Sequence, residues 1–142
     1  MNIRLRRIDK SLPLPEYKTK EAAGFDLAAR VTVVVPPREV QYIPLNVAIE
    51  PPEGYYVALV PRSSLHKRGL MQANGYGVGD RDFSGNGDEY TAALYNFTEH
   101  EVTVERGERI MQALISPVAR VEISEVDDMG RKTRGGFGTT GA

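Results

Sequence analysis

Short β-type runs of apolar residues recur along this chain, and helical periodicity is nearly absent. Pro, Gly and Asn residues separate the runs in the way that turns separate β-strands. Many short strands at close spacing predict an all-β sandwich or jelly roll. The predicted strands are residues 3–8, 28–35, 40–44, 47–49, 55–60, 90–97, 102–104, 109–118 and 121–123.

Three other segments depart from this strand pattern. Residues 63–68 are predicted to form the single helix, a short turn with Ser63 as its cap. Residues 75–87 are predicted to be a polar loop whose length indicates a functional role, since strands need only short connections. Residues 1–130 are therefore expected to be one jelly-roll domain, followed by a flexible Gly-rich flap at residues 131–142.

Composition and charge argue against several classes of function. The 142 residues suit one domain, and a hydrophobic fraction of 41% is enough for a core. A net charge of −1 argues against a large basic surface for duplex nucleic acid. The absence of cysteine removes disulfides and thiolate metal sites, and two histidines argue against a zinc site. With no apolar run of membrane-span length, we expect a soluble cytoplasmic protein without nucleic-acid or membrane partners.

The end of the chain, RGGFGTTG (Arg134 to Gly141), is poor in core-forming residues and rich in glycine. Glycine allows close approach of backbone N–H groups to a ligand. Arg134 adds a planar cation that suits phosphate, and Phe137 adds a ring on which a base can stack. The segment is interpreted either as a flap that closes over a nucleotide or as a frayed terminus.

Two segments in the first half of the chain carry candidate polar chemistry. In AAGFDLAA, Asp26 is either a turn acid or an outer partner of a metal-bound water. In PRSSLHKRGL, Arg62 with the hydroxyls of Ser63 and Ser64 favours an anion site at the start of the predicted helical turn. An ordinary helix cap with solvated charge is the alternative interpretation of the second segment.

Two further segments contain a residue that can hydrogen-bond a base, a carboxylate and a second side-chain amide. In NGYGVGDRDF, Asn74 can both donate to and accept from the edge of a base, Asp80 can serve as an acid or base, and Phe83 can pack on a sugar. A polar hairpin tip is the alternative. In ERGERIMQALI, Gln112 needs hydrogen-bond partners if buried, and either a ligand phosphate or a strand backbone would supply them.

Taken in order along the chain, these five segments resemble the motifs of the trimeric dUTP diphosphatase (dUTPase) family. The lead-in LPLPEYKTKEAAGFDL is also similar to that family. The resemblance implies a β jelly roll assembled as a homotrimer, in which the tail of one chain closes a site built by others. It also implies hydrolysis of dUTP to dUMP and pyrophosphate, with Mg2+ bound mainly to the triphosphate. That reaction would keep uracil out of DNA and supply dUMP for dTMP synthesis.

The resemblance also implies a role for each matching residue. Asp80 corresponds to the aspartate that activates the attacking water, and Asp26 to the acid that supports Mg2+ indirectly through water. Asn74 corresponds to the uracil-binding residue, and Phe83 stands where the family usually has a tyrosine against the deoxyribose. Phe137 corresponds to the aromatic residue that covers uracil. The other implied substrate-binding residues are Arg62, Ser63, Ser64, Gly77, Gln112, Arg134, Gly136, Thr139 and Thr140.

The sequence departs from the family pattern at three places. Gly79 replaces the usual aliphatic residue before Asp80, and we expect it to loosen that loop. The interval 85–96 is longer than usual, with Gly87, Asp88 and Glu89 as apparent extra residues, and a longer hairpin away from the chemistry is expected. The flap cation is either Arg134 or one of the earlier residues Arg131 and Lys132.

Two alternative functions remain open at this point. A dCTP deaminase, alone or combined with dUTPase activity, shares the fold and an RSS-type motif. It needs a glutamate where this chain has Ala93, in TAALYN. A non-catalytic dUTP-binding regulator on the same fold is the second alternative, although Asp80 and Ser63 are both present.

Overall fold

The structure is a computed structural model that describes residues 1–141. Nearly all of its regular structure is β, which confirms the predicted all-β class with one short helix. In chain order the elements are β1 (Arg4–Arg7), β2 (Phe25–Ala28), β3 (Val33–Val35), β4 (Val40–Pro44), β5 (Val47–Glu50), β6 (Tyr55–Pro61), a 3-10 helix (Leu65–Arg68), β7 (Leu70–Gln72), β8 (Gly77–Gly79), β9 (Thr91–Asn96), β10 (Val102–Val104) and β11 (Arg109–Pro117).

The strands form one larger sheet, one smaller sheet and two separate pairs. The larger sheet has the order β2-β11-β6-β8, and the smaller sheet has the order β4-β9-β7. β1 pairs with β5, and β10 pairs with β3. Every recorded pairing is antiparallel. This arrangement agrees with the sandwich that short, closely spaced strands predicted.

Alternation along the strands supplies the core. In β9 the side chains of Ala92 and Leu94 are buried while Thr91 is exposed, as the two-residue period of a strand requires. Residues from both sheets join one buried cluster, so the sheets pack against each other around a shared core. Its fully buried large members include Leu27, Ile43, Leu70, Leu94, Ile110 and Met111.

Several predicted element boundaries were wrong. Of the predicted strand 28–35, only Ala28 at the end of β2 and the residues of β3 are in strands, and residues 25–27 of β2 were not predicted. The N–H groups of Ala29 and Arg30 donate instead to the backbone oxygens of Glu108 and Pro44. The predicted loop 75–87 contains β8, and β7 was not predicted. The predicted strand 121–123 does not form, and Ile123 is 94% exposed there.

The predicted helical turn is present but shorter, and Ser63 does not cap it. The 3-10 helix begins after Ser64, whose side chain makes no capping hydrogen bond. It ends at Gly69, which adopts a left-handed conformation with φ of 79°. A side chain is disfavoured at that φ, so glycine suits this helix end. Within residues 1–141, no helix has both the length and the apolar character needed to cross a membrane.

Candidate active site

The larger sheet brings a carboxylate and two arginines together at one end. Arg109 Nη1 donates a hydrogen bond of 2.8 Å to Asp26 Oδ2, and Arg62 Nε lies 3.3 Å from the same oxygen. The Asp26 side chain is only 13% exposed. One partly buried carboxylate therefore holds two guanidinium groups in place.

These arginines line a cavity of about 470 Å³ beside the 3-10 helix. Lys67, Arg68 and Ser64 also line it. Glu108 lies in the lining as well and forms an ion pair with Arg68. Because cations outnumber carboxylates here, the cavity suits a polyanion such as a chain of phosphates.

Ser63 lies at the edge of this region rather than inside it. Its side chain is exposed, and it does not line the cavity. Ser64 does line the cavity and is exposed. The structure therefore leaves both hydroxyls accessible to a ligand.

Gln112 lies on β11 beside Asp26, with which it is paired across the two strands. Its Nε2 donates a hydrogen bond of 3.2 Å to the backbone oxygen of Pro61. Of the two partners considered from the sequence, a strand backbone is the one that it contacts. A Cβ at Gly24 would approach Gln112 Oε1 to 2.9 Å, so glycine at 24 leaves room for this amide.

A second group of candidate residues lies in residues 73–83, which run from the end of β7 in the smaller sheet through β8 in the larger sheet to the turn after it. Asn74 is exposed in the connecting turn, and Asp80 is exposed directly after β8. The N–H of Phe83 donates a hydrogen bond of 3.1 Å to the Asp80 backbone oxygen, so one turn presents both residues. At Gly77 a Cβ would lie 2.8 Å from Leu59 Cβ, so the close approach of β8 to β6 requires glycine there.

The strand register keeps these two groups apart within one chain. Gly79 pairs with Val57, which puts Asp80 level with Tyr56 near the start of β6. Arg62 follows the other end of β6. At about 3.3 Å per residue, positions 56 and 62 are roughly 20 Å apart along the strand. A single chain therefore does not bring the candidate catalytic carboxylate to the cationic cavity.

Among the described residues, the tail forms no hydrogen bond or ion pair with either group. Phe137 is fully exposed and has a positive φ of 51°. Arg134, Thr139 and Thr140 are exposed as well, and Gly136 accepts a turn hydrogen bond from the Thr139 N–H. Arg131 and Lys132 are equally exposed, so the structure does not single out one flap cation.

Arg109 was missed from the sequence, and a local irregularity explains why. The register of β11 shifts between Arg109 and Met111, so Ile110 and Met111 are both buried. Simple alternation would place Arg109 on the same face as buried Met111. The available signal was a cation directly after the Gly107 turn, three residues before Gln112.

Gly79 does not leave open space, contrary to the looser loop expected from the sequence. It is buried, and a Cβ there would lie 2.6 Å from Tyr90 Cζ and 2.7 Å from Tyr90 Cε1. Tyr90 was also missed, because nothing near it in the sequence marks it as a neighbour of Gly79. Burial, followed by the negative charge of Asp80, raises the pKa of Tyr90 to about 12.

The extra residues before β9 do not form the separate hairpin that was expected. Both Glu89 oxygens accept hydrogen bonds from Arg30, and Oε1 also accepts the N–H of Asn46. The next residue, Tyr90, packs its ring edge-to-face on Phe83 with centroids 5.5 Å apart. The longer interval thus reaches the turn that carries Asp80.

The model of one protein family, described as dUTPase, matches residues 10–141. This chain belongs to the dUTPase family. A deoxyuridine 5'-triphosphate nucleotidohydrolase of Nautilia profundicola is 38% identical, and the match covers 99% of both chains. These findings confirm the predicted enzyme class, a dUTP diphosphatase, and support hydrolysis of dUTP as its reaction.

Solved dUTPase structures share the fold. The dUTPase of Streptococcus mutans is 28% identical with a TM-score of 0.77, covering 86% of this chain and 99% of that one. A variant of the Staphylococcus bacteriophage 80alpha dUTPase with dUpNHpp is 26% identical with a TM-score of 0.85, covering 99% of both chains. The predicted jelly-roll architecture of the dUTPase type is therefore confirmed.

Proposed function

We propose that this chain hydrolyses dUTP to dUMP and pyrophosphate, with Asp80 accepting a proton from the attacking water. The water oxygen bonds to the α phosphorus, and the bond from that phosphorus to the bridging oxygen breaks. The electron pair leaves with pyrophosphate. Phosphoryl transfer of this kind depends on positioning and charge stabilisation rather than on covalent help from the protein.

The observation that carries the proposal is the cationic cavity anchored on Asp26. Arg62 and Arg109 present guanidinium groups that suit phosphate oxygens, and the shared carboxylate fixes their direction. Gln112 and the accessible hydroxyls of Ser63 and Ser64 add neutral donors beside it. These groups would hold the triphosphate while charge moves onto the departing pyrophosphate.

The segment of residues 73–83 would hold the nucleoside. In this proposal the exposed Asn74 amide hydrogen-bonds uracil, and the backbone of Gly77 contributes to the same nucleoside site. The exposed face of Phe83, 41% accessible, packs on deoxyribose and leaves little space for a 2′-hydroxyl. The solved phage dUTPase variant bound to dUpNHpp supports a uracil deoxynucleotide as the ligand.

In this proposal Mg2+ is held mainly by the triphosphate of the substrate. Among residues 1–141 there is no cluster of three or more His, Cys, Asp or Glu that could hold a metal ion. Mg2+ commonly keeps several waters and binds through one or two carboxylates together with substrate phosphates. Asp26, beside the cavity, fits the role of a carboxylate that acts through water. When bound, Mg2+ would neutralise charge on the phosphate oxygens.

The proposed site is shared among copies of the chain, as a homotrimer. The support for a shared site is that Asp80 lies level with Tyr56, at the start of β6, whereas Arg62 follows its other end, roughly 20 Å away. Attack at phosphorus requires the water and the phosphate ligands in near contact. A neighbouring copy would bring its cationic cavity to residues 73–83, and the exposed tail of a copy would close over both with Arg134, Gly136, Phe137, Thr139 and Thr140. A cytoplasmic location stays a prediction from the sequence.

Pyrophosphate release from dUTP, dCTP, dTTP and UTP in the presence of Mg2+ tests the proposal, with the nucleotide products identified. We expect release from dUTP alone, with dUMP as the product. Asp80→Asn should bind dUpNHpp as the wild type does and lose about 100-fold or more in kcat. Asp82→Asn, two residues away, is the matched control. Absence of release from dUTP would refute the proposal, and full activity in Asp80→Asn would refute the role of Asp80. Conversion of dCTP to a uracil product would favour the deaminase alternative.

A further inference from the structure

Two departures from the family pattern meet at one point in the structure. Gly79 lies on β8 directly before Asp80, and Tyr90 lies in the longer interval 85–96, directly before β9. The ring of Tyr90 occupies the volume that a side chain at position 79 would take, since a Cβ there would meet Tyr90 Cζ at 2.6 Å. Real Cβ atoms do not approach other atoms that closely, so an aliphatic residue at 79 and the ring at 90 exclude each other.

The ring of Tyr90 is not free to move aside. The residue is 4% exposed, and both backbone groups are bonded to a neighbouring segment. Its N–H donates to the Val47 oxygen at 2.8 Å, and its oxygen accepts the Leu45 N–H at 2.9 Å. The preceding Glu89 is held by Arg30 through two hydrogen bonds. Tyr90 is therefore a fixed support rather than a side chain that fills the gap by chance.

The same ring supports the aromatic residue proposed to contact the sugar. Phe83 meets Tyr90 edge-to-face, with an interplanar angle of 75°. Such pairs favour a defined ring orientation beyond simple burial. Tyr90 thus touches the backbone before Asp80 on one side and the ring of Phe83 on the other. Its hydroxyl is buried and has no hydrogen-bond partner in the described residues.

We propose that Tyr90 is a positioning residue of this site, acting through its ring on both Asp80 and Phe83. The ring replaces the side chain missing at Gly79, so the backbone before Asp80 is packed rather than loose. The same contact fixes the plane of Phe83 and with it the discrimination between dUTP and UTP. This role rests on the proposed function, in which Asp80 activates the water and Phe83 contacts the sugar.

Four variants test the role: Tyr90→Val, Gly79→Ile, the double variant and Tyr90→Phe. Steady-state hydrolysis of dUTP and UTP is measured for each, with kcat and KM separated, together with the melting temperature. Displacement of reacting groups by about 1 Å costs on the order of 100-fold, so we expect each of the first two to lose roughly 10- to 100-fold in kcat/KM for dUTP. Tyr90→Val should also lose preference for dUTP over UTP.

The double variant and Tyr90→Phe separate positioning from general damage. Because the two residues share one volume, the double variant should recover most of the lost kcat/KM, and the melting temperatures should be strongly non-additive. Tyr90→Phe keeps the ring and should match the wild type in the ratio of dUTP to UTP hydrolysis. If either single variant fails to fold, the double variant and Tyr90→Phe still decide the outcome.

Three results would overturn the role of Tyr90. These are an unchanged ratio of dUTP to UTP hydrolysis in Tyr90→Val, additive losses in the double variant, or a Tyr90→Phe variant as impaired as Tyr90→Val. A wild type that releases no pyrophosphate from dUTP refutes the proposed function instead. The positioning role is then decided by the affinity of the four variants for dUpNHpp relative to its UTP counterpart.

Discussion

The carboxylate of Asp26 is the group on which the cationic cavity depends, so neutralising it should disturb both folding and binding. In Asp26→Asn, Arg109 and Arg62 lose a charged acceptor that lies 2.8 and 3.3 Å away. Asparagine has nearly the same shape, and its oxygen can still accept a neutral hydrogen bond. The variant therefore removes charge with little change in volume.

The expected loss of stability follows from how far the three groups are buried. Hydrogen bonds to charged groups contribute about 1.5–3 kcal/mol when buried, and exposed ion pairs about 0.2–1 kcal/mol. The Asp26 side chain is 13% exposed, but Arg62 and Arg109 are 33% and 42% exposed. Because solvent screens the partly exposed arginines, each contact contributes about 1 kcal/mol to stability. The expected total loss of stability is about 1–2 kcal/mol.

Substrate binding should weaken together with stability. Without the shared carboxylate, the two guanidinium groups repel each other and lose their fixed direction toward the cavity. A loss of about 1.4 kcal/mol in transition-state stabilisation corresponds to a tenfold fall in kcat/KM for dUTP. We expect a fall of at least that size, with affinity for dUpNHpp reduced in the same variant.

Urea unfolding followed by tyrosine fluorescence measures the stability change, since the chain has 7 tyrosines and no tryptophan. Glu99→Gln is the matched control, because Glu99 pairs with Arg38 on an exposed surface outside the site. We expect the control to stay within about 0.5 kcal/mol of the wild type, with unchanged hydrolysis. The reasoning is refuted if Asp26→Asn is indistinguishable from this control in both measurements.

Three further outcomes are expected. Because folding raises the pKa of Tyr90 from 10.0 to about 12, its contribution to stability is present below pH 10 and is lost as the pH rises through about 12. At about 1.4 kcal/mol per pKa unit the loss is at most about 3 kcal/mol, and urea titrations between these pH values should show a shallower fall in Tyr90→Phe. Phe83→Ala should raise UTP hydrolysis relative to dUTP, whereas Phe97→Ala should leave that ratio unchanged. Deletion of residues 134–142 should lower turnover without lowering the melting temperature, and a large melting shift would instead make the exposed tail structural.

Much of the fold was predictable because short apolar runs and the turn residues between them are local features. β4, β6, β9 and β11 were all anticipated from such runs. β8 was not, since its sequence, Gly-Val-Gly, has two residues that disfavour strands in isolation. It forms because β6 pairs with it and because Gly77 leaves room for Leu59 and Gly79 leaves room for Tyr90.

The candidate site was predictable as a set of residue types but not as a geometry. Asp26 and Gln112 were chosen separately, and only the pairing of β2 with β11 makes them neighbours. Arg109 was missed because a bulge reverses the face that alternation assigns to it. The distance between Asp80 and Arg62 depends on strand register, which hydrophobic patterning alone does not reveal.

The shared volume at positions 79 and 90 also constrains how this sequence can change over evolutionary time. A chain with an aliphatic residue at 79 and a small one at 90 would fill the same space, but each route to it passes through a damaged intermediate. Enlarging position 79 first forces two side chains into one volume within a rigid core, as overpacking does. Reducing position 90 first leaves a cavity, which the surrounding structure can partly close. The second order is the easier one, so descendants of this protein should lose the tyrosine before they lose the glycine.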